Sequence, residues 1–184
     1  MGTVATITSG TTAMSVAATE LNKIVNAQNS VGQYSSTTSS SINTSPSAIG
    51  FDSNDLQAGL FTHSISTNNS RFTVSAAGIY RFTAQLQVNH LTTGTAQVIA
   101  YFRKNGTTEI ANSAARWSSN GVADTGVLVV DALLSMVSTD YIELMAVTTV
   151  ASEWQVTGTV SSGTSPNVIP VTPAVIMTAT ALPA

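Results

Sequence analysis

The most regular pattern in the chain is a strict alternation that begins at Tyr80. Tyr80, Phe82, Ala84, Leu86 and Val88 fall on one side; Arg81, Thr83, Gln85, Gln87 and Asn89 fall on the other. Successive side chains of a strand point to opposite faces, so this stretch predicts a strand with one apolar and one polar face. It is entered through Phe72 and Val74, then Ser75-Ala76-Ala77-Gly78, which reads as a corner. Further strands are expected at 59–66, 70–74, 96–104, 108–117, 126–137, 140–150, 154–161 and 174–182. Asn105-Gly106 is a strong hairpin signal between two of them. Ala96 to Lys104 is apolar on both sides, as in a strand covered on both faces. Roughly eight to ten strands with a turn signal every 8–12 residues describe a β-sandwich or jelly roll.

Residues 1–50 follow another pattern. Thr3 to Thr8 reads as a short strand. Met14, Ala17, Ala18, Leu21, Ile24, Val25 and Gln28 then recur at spacings of three and four, the stripe of a helix over about 13–29. Gln33 to Gly50 is rich in serine and threonine and reads as an extended linker. The organisation expected is an N-terminal arm over 1–50 and an all-β, two-sheet antiparallel jelly-roll domain over 51–184. The stripe Met14, Leu21, Ile24 and Val25 has two readings: it packs back on its own sandwich, or it anchors the arm on a neighbouring subunit or a capsid lattice.

Composition adds a surface argument. Charged residues are 8% of the chain and the net charge is −3, against a usual charged share of about 25%. So little charge argues against a nucleic-acid partner, which needs a basic footprint. It favours a chain whose surface is covered by other subunits. There are no cysteines, so neither disulfides nor cysteine-based zinc sites are expected. No membrane span and no secretory signal are expected either.

The order of Phe51-Asp52, Phe72-Thr73-Val74 with Gly78-Ile79-Tyr80-Arg81-Phe82, Lys104-Asn105-Gly106 and Asp140-Tyr141-Ile142-Glu143-Leu144 resembles the tumour necrosis factor/complement-globular-head jelly-roll superfamily. Its pattern F-T-x-x-x-x-G-x-Y-x-F opens a central strand, followed by an N-G hairpin and a G-D-x-[VI]-x-L element. Thr139 stands where that element usually has glycine. The resemblance spans about residues 50–182 and implies a two-sheet jelly roll that assembles as a compact homotrimer. It also implies that one sheet faces the threefold axis, so the polar row Arg81, Thr83, Gln85 and Gln87 becomes a candidate trimer interface. Tyr101 and Phe102 join it, because adjacent large rings point oppositely and one sandwich core hides only one of them.

The superfamily is similar to jelly-roll proteins of bacteriophage particles, and the Ser/Thr/Ala-rich composition and the arm favour that branch. The function expected is therefore a non-enzymatic virion protein, assembled in the host cytoplasm. Its expected role is a trimeric head decoration or cement protein bound to the major capsid protein. The alternative is the receptor-binding tip of a tail fibre, with specificity in loops at 116–124 and 163–172. No catalytic residue, metal or cofactor is expected. His63 and His90 have no ligand partners at useful spacing, Asp52 and Asp55 read as turn residues rather than a calcium site, and Asp131 and Glu143 read as outward-facing or ion-paired acids.

Overall fold

A computed structural model describes residues 20–22, 24–159 and 170–182. After a short helix at 20–28, its strands in chain order are β1 (Val31–Ser36), β2 (Ser40–Ile42), β3 (Ser47–Ala48), β4 (Ser53–Gln57), β5 (Phe61–Thr62), β6 (Phe72–Val74), β7 (Gly78–His90), β8 (Ala96–Lys104), β9 (Thr108–Glu109), β10 (Ala115–Ser119), β11 (Thr125–Met136), β12 (Tyr141–Thr148), β13 (Trp154–Val156) and β14 (Val175–Leu182). They form two seven-stranded antiparallel sheets among the described residues. In the first, β7 pairs with β11 along one edge and with β14, then β13, along the other; β1 and β4 extend it beyond β14. In the second, β8 and β12 are central, flanked by β10, β6 and β5, with β3 on β12 and β9 on β8.

The alternation in β7 does what its pattern predicts. Tyr80, Phe82, Ala84, Leu86 and Val88 are fully buried and face the second sheet, with Phe82 and Phe102 rings 6.3 Å apart across the gap. The corner before β7 is closed by the Tyr80 hydroxyl, which donates to Ala76 O at 2.8 Å. Asn105 and Gly106 both take positive φ, at 52° and 71°, and the Thr107 N–H closes the turn on Lys104 O at 3.2 Å; Lys104 pairs with Thr108, so the loop holds three residues.

Three expectations change. The tract 33–50 is not a linker outside the domain, because β1, β2 and β3 lie within 31–48 and are built into both sheets. Tyr34 is the reason: its ring is fully buried against Phe72 at 4.7 Å. The hydroxyls around it find carboxylates. Ser36 and Thr38 donate to Asp52 at 2.9 and 2.8 Å, while Ser35 and Ser53 donate to Asp55 at 3.0 and 2.6 Å. The sandwich therefore begins near residue 30 rather than 51. The expected strands at 59–66 and 108–117 shorten to β5 and to β9 with β10. Between β5 and β6, buried His63 turns the chain: its Nδ1 meets the Asn54 side chain at 2.5 Å, its Nε2 meets Asn69 O at 2.8 Å, and its ring stacks on Phe72. Thr3 to Thr8 lies outside the described residues.

A candidate assembly face

The outer side of the first sheet carries a row of uncovered apolar residues. On β11, Leu128, Val130, Ala132 and Met136 point into the core. The residues between them point out: Val127 and Val129 are each 53% exposed and Leu133 is 62% exposed. The β7 partner of Val127 is Gln87, of Val129 Gln85, of Asp131 Thr83, and of Leu133 Arg81. Beyond β7, β14 adds Thr178 opposite Thr83 and Thr180 opposite Arg81. The apolar residues thus run along one side of a polar row, and Ile79 and Leu182, also paired, close its end.

Asp131 is the one acid in this face, and it is neutralised within the subunit. Arg81 Nε lies 3.0 Å from its Oδ1 and the guanidinium also reaches Oδ2 at 3.4 Å. The Thr83 hydroxyl donates to Oδ1 at 2.5 Å. The Thr83 hydrogen bond, then that from Arg81, hold the Asp131 carboxyl below its ordinary range. The pair is exposed, so its net stabilisation is under about 1 kcal/mol. Its larger consequence is that a partner docking on this face buries a paired ion rather than a lone charge, which is the costly case.

The candidate interface residues fall in three places. Arg81, Thr83 and Gln85 share this outer face. Gln87 lies on it too, but its amide donates to Pro173 O at 2.8 Å and is committed to its own subunit. Phe102 does not belong with them. It is fully buried in the sandwich core, because β8 turns its even-numbered residues toward the first sheet. Tyr101 points the other way, to the outer side of the second sheet. There it borders a shallow depression of about 500 Å³ with Ile99, Ile110, Val147 and Glu109. Burial first, and then the Glu109 charge, push the Tyr101 hydroxyl above its ordinary value. The argument that one ring of the pair must face outward holds; the face differs from that of Arg81.

Val127, Val129 and Leu133 are the residues that pattern reading left out. The signal was present: Val127 to Val130 is apolar at consecutive positions, as are Ala132 to Leu134. The reasoning that one sandwich core hides only one of two adjacent large side chains applies to β11 as it does to β8.

In the arm, Leu21, Ile24 and Val25 are exposed on the helix at 20–28, and Ala27 is its buried residue. The reading in which these three pack back on their own sandwich is therefore not what the structure shows; Met14 lies outside the described residues. Among the described residues, no three metal-ligating side chains converge. His90 is buried, with Nδ1 on Gly121 O at 2.9 Å and Nε2 facing Glu153 at 3.5 Å. Glu143 is buried on the second sheet between Arg103, at 3.0 Å, and Arg71, at 3.5 Å.

No family model and no curated protein matches the chain. Solved structures do. The globular domain of zebrafish complement 1qA superposes with a TM-score of 0.54 at 8% identity, covering 83% of this chain and 97% of that one. Eiger TNF from S. frugiperda superposes with a TM-score of 0.55 at 10% identity, covering 85% and 94%. The fold is the tumour necrosis factor/complement-globular-head jelly roll. At such identities the likeness is one of fold.

Proposed function

We propose that the chain is a non-enzymatic structural protein that works as a homotrimer, with the outer face of β7, β11 and β14 turned toward the threefold axis. The observation that carries this is the uncovered apolar row Val127, Val129 and Leu133 beside the internally neutralised Arg81–Asp131 pair. Contiguous exposed apolar residues rimmed by polar ones are a mark of interaction surfaces. The low charge of the whole chain fits a protein that spends its life within an assembly.

The finer proposal is a bacteriophage virion protein that decorates the head and cements it by bridging capsid subunits. Composition and the N-terminal apolar stripe support it. Binding that bridges capsomers stabilises a shell by mass action. Electron microscopy of purified particles carrying the protein tests this. Copies spread over the head at threefold positions are the expected result; a few copies at the tail overturn it. The tail-fibre reading has one observation in its favour: Trp117, in the middle of edge strand β10, is 41% exposed with its ring lying over Gly126 of β11. A partly exposed aromatic ring is a natural stacking surface for a sugar face.

A further inference from the structure

The helix at 20–28 presents an apolar stripe that its own subunit leaves open. Leu21 is 60% exposed, and Ile24 and Val25 are each 41% exposed. A helix this short is not stable in water without packing. Yet its C-terminal end is firmly fixed. Buried Ser30 donates from Oγ to Asn26 O and accepts the Leu60 N–H at 2.9 Å, and its carbonyl accepts the Ala181 N–H at 3.1 Å. Gly59, with φ of +70°, lies against Ser30 so closely that a Cβ there would clash with the Ser30 backbone. The helix is therefore stapled to one end of the first sheet. There Asn26 and Ala27 line a cavity of about 110 Å³ together with Ile79 and Leu182. Ile79 and Leu182 close the same end of the assembly face, so the helix stands at that end of the face with its Asn26–Ala27 side toward the sandwich and its apolar stripe turned away.

We propose that what covers the stripe is the same stripe on two further copies of this chain: the three helices pack in parallel as a short bundle on the threefold axis. This rests on the trimer proposed above and specifies how its arm is used. Symmetry supplies the geometry, since an axis along the assembly face brings three identical stripes together with no other chain required. The sequence supplies the seam. Leu21, Ile24 and Gln28 are spaced by three and four, the a–d–a spacing of a coiled coil. Leucine at a with isoleucine at d favours three or four strands over two. Met14 and Ala17 continue the spacing in the sequence and lie outside the described residues. Gln28 at the following a position gives a polar end to the seam where the chain enters the sandwich.

The chain has no cysteine, so single substitutions report proximity cleanly. Ile24→Cys places a thiol in the seam; Asn22→Cys places one on an exposed position away from it. Under mild oxidation, Ile24→Cys is expected to form a disulfide-linked pair of chains at least about tenfold faster than Asn22→Cys, because a packed seam holds its thiols at a millimolar or higher effective concentration. The rate is expected to be independent of protein concentration, as for a reaction within one assembly. Equal rates for the two variants, in a species that native mass spectrometry still shows to be trimeric, overturn the helical bundle and leave the sheet-mediated trimer standing. A monomeric wild-type chain overturns both.

Discussion

Thr139 is the place where the physics of a single residue can be read most cleanly. It sits at φ of +74°, in the left-handed region that β-branched side chains rarely adopt. The surroundings leave it no alternative. Its N–H donates to Val74 O at 2.8 Å, and the next N–H, from Asp140, donates to Val137 O at 3.0 Å. The Asp140 carboxylate then accepts the Val137 N–H at 2.8 Å and pairs with Lys104 at 2.6 Å. The Thr139 side chain is exposed and makes no compensating contact. Left-handed backbone costs an L-residue roughly 1–2 kcal/mol. Glycine removes that cost but loses roughly 0.4–1 kcal/mol through the greater freedom of its unfolded chain. Thr139→Gly should therefore stabilise by about 0.5–1 kcal/mol, a rise in melting temperature of roughly 1–4 °C for a chain of this size. Differential scanning calorimetry at one fixed protein concentration measures it; the fixed concentration matters because assembly adds to apparent stability. Thr139→Ala keeps a Cβ and should show no comparable gain. A glycine variant that melts at or below wild type would refute the assignment of strain to this residue.

Three other outcomes follow from the same structure. Tyr34→Ala should cost about 3–5 kcal/mol in chemical denaturation, the range for a large buried ring; a cost under about 1 kcal/mol would return the 33–50 tract to the role of linker. The hydrogen bond from Asn105, then those from Lys104 and the Val137 N–H, lower the Asp140 carboxyl from 3.8 to about 2. Its stabilisation is thus complete above pH 3.8 and disappears as the pH falls through about 2, so Asp140→Asn should flatten the acid limb of a stability–pH profile while costing roughly 1–3 kcal/mol at neutral pH. Arg81→Ala should change monomer stability by less than about 1 kcal/mol yet weaken assembly measurably in sedimentation equilibrium, since it leaves Asp131 to be buried unpaired; unaltered assembly would remove the pair from the interface.

What the sequence revealed, and what it hid, have physical reasons. β7 was readable because one of its faces is core and the other is polar, so alternation is strict. β8 and β11 are apolar on both faces, and periodicity alone does not say which face is core; hence Phe102 was placed with the interface residues while Leu133 was overlooked. The tract 33–50 carries almost no hydrophobic signal. Its strands are specified by three widely spaced apolar anchors, Tyr34, Ile42 and Ile49, and by serine hydroxyls that need Asp52 and Asp55, some 16 to 20 residues away, to be satisfied. Pairings at that separation leave no local pattern. Thr139 shows the converse: a threonine where the G-D-x-[VI]-x-L pattern has glycine was visible in the sequence, and the backbone keeps a left-handed conformation because the bonds around it demand it.

The threefold face itself is tested by the mass of the chain in dilute solution, measured by sedimentation equilibrium for wild type and for Leu133→Asp. Leu133 is 62% exposed in the subunit, so the substitution leaves the fold untouched, and an unchanged circular dichroism spectrum and β-sheet melting profile in the dissociated state verify that. The expected result is a wild-type species of three times 18.9 kDa and a variant that is folded and monomeric, because a carboxylate at 133 faces Arg81, which already pairs with Asp131, and each subunit would bury an excess negative charge at the axis. A monomeric wild type, or a variant that remains trimeric with unchanged affinity, contradicts the assembly face.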